Sequence, residues 1–147
     1  MKRDPHITSR IMSAIKSKDT KPEQLLGKAL WRRGLRYRKH YKKLEGCPDF
    51  AFISAHVAVF CDGDFWHGNN WRLRNKKSLE DELSSYSPFW QEKIRRNIER
   101  DIEINKKLAS LDWIVVRFWA SQIIENAEAC ASTVEAIINS GKNHRLK

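Results

Sequence analysis

Apolar residues recur at helical spacing along four stretches of the chain and crowd into short, nearly continuous runs between them. Ile11, Met12 and Ile15 form the first helical pattern, behind a polar arm. Thr20-Lys21-Pro22-Glu23 has the form of a capping box, with proline tolerated in a first turn. It opens a helix carrying Leu25, Leu26, Ala29 and Leu30, which Gly34 stops after Arg32 and Arg33. Residues 35–41 alternate as a strand does. Pro48 to Ile53 and Val57 to Asp62 read as two further strands, joined by a tight turn at Ser54-Ala55-His56. This hairpin has Asp49 and Asp62 at its open end. Residues 72–87, charged and serine-bearing, read as a mobile loop. Ser87-Pro88 starts a long helix to about Leu108, with Phe89, Trp90, Ile94, Ile98 and Ile102 marking its buried face. Asp112 to Trp119 is another sheet strand, and residues 121–139 form a last amphipathic helix ended by Ser140-Gly141.

That order predicts an α/β fold, a central mixed β-sheet flanked by helices. It forms one domain over residues 1–147, with an N-terminal arm and helix over about 1–18 and a core over about 20–140. A chain of 147 residues is long enough to build a core without cross-links. Charge narrows the function. The formal charge of +10 favours a polyanionic partner, since basic residues that neutralise phosphates release condensed counterions. Nucleic acid is the first candidate; no long apolar span supports a membrane. Cys47, Cys61 and Cys130 form no Cys-x-x-Cys pair, which argues against a disulfide framework or a thiolate zinc site. With no apolar signal-peptide core in Met1 to Arg10, the expected location is the cytoplasm, with reduced thiols. No obligate protein partner is evident.

Candidate chemistry starts at the hairpin. Carboxylates at adjacent strand ends can face one space, and with backbone carbonyls they supply what a hard ion such as Mg2+ requires. Asp49 after Pro48, with Asp62 ending the next strand, matches the layout of restriction-endonuclease-like nucleases. Their Asp/Glu-x-Lys element is replaced here by Asp62-Gly63-Asp64, so another residue must handle protons. By position alone both aspartates are equally well read as ordinary polar strand ends. His67, just beyond Asp62 and among Phe65, Trp66 and Trp71, is the candidate proton carrier. Phe65 and Trp66, in a loop with Gly and Asn, suit wedging or stacking against bases, or else a small satellite of the core.

Four stretches together resemble the very short patch repair endonucleases, which nick DNA beside a T·G mismatch, and the homing endonucleases that share their nuclease core. They are Ser9 to Ile15 (SRIMSAI), Gly46 to Phe50 (GCPDF), Val59 to His67 (VFCDGDFWH) and Phe89 to Asp101 (FWQEKIRRNIERD). The resemblance implies that Asp49 is the principal Mg2+ ligand, joined by the main-chain carbonyl of Cys61, with Mn2+ able to substitute. It implies that Glu23 holds a metal-bound water and that Asp101 orients His67. It implies wedges at Phe65, Trp66 and Trp90, with Met12 and Ile15 pressing from the minor groove. Plain alternatives stand beside these roles: Glu23 as the acid of the capping box, Asp101 as a solvated helix carboxylate, Met12 and Ile15 as a simple apolar face.

Two departures qualify the resemblance. The positions of the patch repair zinc are Asp64, Asn69, Trp71 and Ser121 here, so no structural zinc is expected and the loop must be held by packing through Trp71. Asp62 replaces a histidine of the patch repair site, where it could bind metal directly or raise the pKa of His67. The expectation is an Mg2+-dependent endonuclease hydrolysing a phosphodiester bond of double-stranded DNA, with Arg32, Arg33, Arg36, Arg72, Arg74, Arg95 and Arg96 as candidate backbone contacts. The rivals are a homing-type enzyme with its own target, a nuclease for RNA or single strands, and a non-catalytic DNA-binding module.

Overall fold

Helix α1 (Lys21–Arg32) begins where the sequence places it, with Thr20 extended at the N-cap and Pro22 in the first turn. The capping box does not form through Thr20, whose side chain makes no cap bond, and Glu23 is turned inward and only 3% exposed. The structure, a computed structural model, describes residues 20–145; the expected first helix, with Met12 and Ile15, lies outside them. Leu26, Ala29 and Leu30 are fully buried, and Gly34 turns the chain at φ +80°.

The strand expected over 35–41 shrinks to β1 (Arg38–Lys39), with both side chains exposed. Leu35 and Tyr37 pack against the core instead, so burial rather than a ladder holds this stretch. β2 (Phe50–Phe52), β3 (Val57–Asp62) and β4 (Ile114–Trp119) complete a four-stranded sheet of order β1-β2-β3-β4. The first two pairings are antiparallel and β3–β4 is parallel, which makes the sheet mixed.

Strand alternation divides the core. Val57 and Val59 of β3 face one cluster, with Leu26, Ala29 and Leu30 of α1 and Ile123, Val134 and Ile138 near the C-terminus. Ala58 and Phe60 face the other cluster, with Ile104 and Leu108. Helices therefore cover both faces of the sheet, which is why β2 and β3 are buried almost throughout.

Three helical expectations change. Residues 72–87 hold ordered helix: α2 (Asn70–Leu73) and α3 (Leu79–Leu83), the latter capped by Ser78 through the N–H of Asp81. A single Leu79/Leu83 pair is too short to register as periodicity. In α4 (Pro88–Ser110) the buried positions are Trp90, Ile94, Ile104 and Leu108, while Phe89 and Ile102 are 65% and 48% exposed. The C-terminal helix is two, α5 (Ala120–Glu125) and α6 (Ala127–Arg145), broken at Asn126, whose side chain accepts the N–H of Ala129. α6 passes through Ser140-Gly141 without stopping. Among the described residues, no helix is long and apolar enough to cross a membrane.

Candidate active site

Beyond the Lys39–Phe50 pair the β1–β2 register continues as two further hydrogen bonds, His40 N–H to the Asp49 carbonyl and Tyr41 N–H to the Pro48 carbonyl. This places His40 beside Asp49. Glu23 reaches the same point from the first turn of α1, with Oε2 3.0 Å from His40 Nε2. His40 Nε2 is 4.0 Å from Asp49 Oδ1, and Asp49 Oδ2 accepts the N–H of Cys61 at 2.7 Å. Burial pushes the Asp49 carboxyl up to about 7; the Cys61 N–H opposes this and the neighbouring Glu23 adds to it. Two carboxylates and one imidazole thus offer ligand atoms within 4.8 Å of one another. Crowded, desolvated oxygen donors of this kind suit a hard divalent cation. His40 carries no sequence mark beyond its place in a basic stretch; the strand register is what brings it to the site.

A second group forms on the other side of β3. After Asp62 the chain turns at Gly63, and His67 N–H bonds back to the Gly63 carbonyl. Asn97 on α4 donates to the Trp66 carbonyl at 2.9 Å. Gly68, at φ +78°, lets the loop press onto the same helix; a Cβ there would lie 2.7 Å from Ile98 Cδ1. His67 Nδ1 consequently meets Asp101 Oδ2 at 2.5 Å, and Nε2 lies 3.9 Å from Asp62 Oδ1. Arg117 of β4 bridges the acids, with Nη1 3.0 and 3.2 Å from the Asp62 oxygens and 3.5 Å from Asp101 Oδ1. Asn105 and the face of Phe60 fix its guanidinium. A lone charge inside the apolar run of β4 was the available signal for Arg117.

Burial raises the Asp62 pKa, opposed by His67 and Arg117. For His67 burial works against the charged form, but the Asp101 hydrogen bond and the charges of Asp62 and Asp101 outweigh it, so its pKa is raised. His67, Asp62, Asp101 and Arg117 line a cavity of about 450 Å3 that Trp71 and Trp119 also wall.

Asp49 and Asp62, expected to face one space, belong to separate groups. The pleat explains this: neighbouring Cys61 and Asp62 point to opposite faces of the sheet. Cys61 lies between the groups, its buried thiol pushed well above the usual range.

The aromatic residues form one connected patch. Phe65, Trp66 and Trp90 pack mutually at 5.4–5.5 Å between ring centroids, and Phe89 adds edge-on to Trp90 at 5.1 Å. Trp90, an expected wedge, is only 8% exposed and supports the others from beneath. Phe65 and Trp66 are half-buried, and the outermost ring is Phe89.

Hydrogen bonds centred on Asp64, rather than packing through Trp71, tie the loop down. Asp64 Oδ1 accepts from Asn69 Nδ2 (2.8 Å) and Ser121 Oγ (2.7 Å), and Oδ2 accepts from Ser121 N–H (2.9 Å). Arg72 closes the network on Asn69 Oδ1. With no cysteine or histidine among them, these residues do not fit a zinc ion. The candidate backbone arginines are largely engaged within the protein: Arg32 with Glu128, Arg33 with Glu135, Arg74 with Glu82, Arg95 with Glu80 and Arg96 with Glu92. Arg36 and Arg72 lie over Trp31 and Trp71.

Residues 2–73 match the family model described as DNA mismatch endonuclease Vsr. The chain is 42% identical over 134 residues to the type II nicking enzyme V.NmeDIP of Neisseria meningitidis serogroup C, covering 91% of this chain and 87% of the relative. It is 40% identical to the type II nicking enzyme V.HpaIIP of Haemophilus parainfluenzae, over 84% of each. It is 34% identical to the DNA mismatch endonuclease Vsr of Escherichia coli, over 79% of this chain and 70% of the relative. Likeness at this identity and over this much of both chains means that the protein belongs to the Vsr-like family of DNA endonucleases.

Proposed function

We propose that this protein hydrolyses one phosphodiester bond of duplex DNA with a divalent ion, Mg2+ or in its place Mn2+, and that T·G mismatches are its preferred sites. The observation that carries the reading is the His67–Asp101 pair, set against a strand end whose other side holds Glu23, His40 and Asp49. The names of the relatives, nicking enzymes and a mismatch endonuclease, support the nick and the mismatch respectively. Free cysteines and the absence of an apolar span among the described residues fit work on DNA in the cytoplasm.

Asp49, together with the main-chain carbonyl of Cys61, would hold the ion, and Glu23 would support it. When bound, the ion supplies positive charge against the phosphate and lowers the pKa of water. The chain's own residues do the rest. Asp101 accepts the Nδ1 proton of His67, which leaves Nε2, 3.9 Å from Asp62 Oδ1, as the free base. His67 takes up a proton from the attacking water at Nε2 and becomes an imidazolium that Asp101 and Asp62 stabilise. Arg117 holds both carboxylates in place. Phe65, Trp66 and the exposed Phe89 enter the base stack, which is cheapest to open at a mispair.

The test is cleavage of supercoiled plasmid and of duplexes with and without a T·G mismatch, in Mg2+ and in EDTA. Nicking that needs Mg2+ and disappears in Asp49→Ala and His67→Ala supports the reading. Salt-sensitive binding without any cleavage would replace it with a non-catalytic DNA-binding module.

A further inference from the structure

We propose that His40 is itself a ligand of the divalent ion, so that the site is a mixed one of two carboxylates and one imidazole. The inference rests on the metal-dependent reading above and adds to it the identity of a donor. His40 Nε2 is 3.0 Å from Glu23 Oε2 and 4.0 Å from Asp49 Oδ1. Around an ion bound at about 2.1 Å, neighbouring octahedral donors lie about 3.0 Å apart and opposed donors about 4.2 Å apart. Both separations therefore fit three donors sharing one centre. The side chains of Glu23, His40 and Asp49 are 4%, 17% and 17% exposed, so the donors are already largely desolvated and held from three segments of the chain.

The donor set has a consequence for the choice of ion. Mg2+ takes oxygen ligands and dehydrates reluctantly, whereas imidazole suits the first-row divalent metals. His40 therefore biases the site towards Mn2+ beyond what the carboxylates alone would do. It also supplies a spectroscopic signature, because nitrogen bound to Mn2+ couples to its electron spin.

The experiment uses the full-length protein stripped of metal and titrated with Mn2+, with pulsed electron paramagnetic resonance on the bound ion. The expected result is a nitrogen coupling that changes on heavy-nitrogen histidine labelling, persists in His67→Ala and is lost in His40→Gln. In His40→Gln the Mn2+ affinity should fall about tenfold or more, and the fall for Mg2+ should be smaller. Labelling tests the bond in the unmutated protein, so a poorly folded variant does not decide the matter. Mn2+ binding that requires Asp49 but shows no histidine nitrogen would overturn the proposal and leave the metal-dependent reading intact. No binding of Mn2+, or binding indifferent to Asp49→Ala, would remove both.

Discussion

The imidazole of His67 and the carboxylate of Asp101 meet at 2.5 Å across 34 residues of sequence, and α4 is what joins them. Asn97 holds the Trp66 carbonyl, Ile98 abuts Gly68, and Asp101 takes Nδ1, so one run of helix face sets the loop on both sides of the histidine and the histidine itself. The ring is oriented by a helix rather than by its own loop.

The raised His67 pKa fixes a pH dependence. A base works only when deprotonated, so cleavage should rise with pH through a pKa above the ordinary histidine value near 6.5. Asp101→Asn removes the negative charge that strengthens this hydrogen bond and helps to raise the pKa, and should move that limb to lower pH while lowering kcat. His67→Ala should cost about 100- to 10,000-fold in kcat. A pH–rate profile of each variant checks this, and an unmoved limb in Asp101→Asn would remove Asp101 from the role.

Metal-free protein should lose stability as pH rises. The folded pKa of Asp49, about 7, lies above its ordinary 3.8, so its contribution is complete below the unfolded value and is lost as pH rises through about 7. Thermal unfolding in EDTA should give a falling Tm between about pH 4 and about pH 7, and Asp49→Asn should flatten the slope. Added Mg2+ should raise Tm more at the alkaline end, where Asp49 is ionised.

Asp64 is the hub of the loop. Replacing it by alanine strands the hydroxyl and N–H of Ser121 and the amide of Asn69, at a cost of about 2 kcal/mol, or a fall in Tm of roughly 4–8 °C. Wild-type Tm should be indifferent to zinc chelation. Both are read by thermal melts, and a wild type destabilised by a zinc-selective chelator with Mg2+ kept in excess would reverse the assignment of this loop.

The aromatic patch should govern which duplex is cut, not whether the ion binds. Phe89→Ala and Trp66→Ala should narrow the preference for T·G over matched duplex about tenfold or more, with Mn2+ affinity unchanged, because a base stacked on an aromatic ring is worth about 1–3 kcal/mol. Trp90→Ala should also lower Tm, since Trp90 is buried beneath the patch. Paired cleavage and melting data separate the effects.

The hairpin, the long helix and the last strand were legible because their patterns are long or β-branched and bounded by clear turns. The two short helices within 72–87 were not, since one turn carries no period. Asp49 and His67 stood out by their neighbours in sequence. His40 and Arg117 did not, because what makes them notable is pairing register and a partner strand. The reading of Phe89 as buried came from assigning an apolar stripe by spacing alone; adjacent helix positions differ by about 100°, and of the two neighbouring aromatics only Trp90 faces inward.

Cys61 and Asp62 are successive residues of one strand, and the groups on either side of them are built around a single peptide unit. The offset between the proton carrier and the carboxylates proposed to hold the ion is therefore a matter of pleat geometry. β3 is paired to β2 and β4 on its two edges, so thermal movement of the surrounding loops changes who can enter the site while leaving its internal spacing alone. A slip of β3 by one residue would be different in kind. It would carry Asp62 to the face of α1 and send Cys61 towards His67, exchanging the partners of both groups in one step.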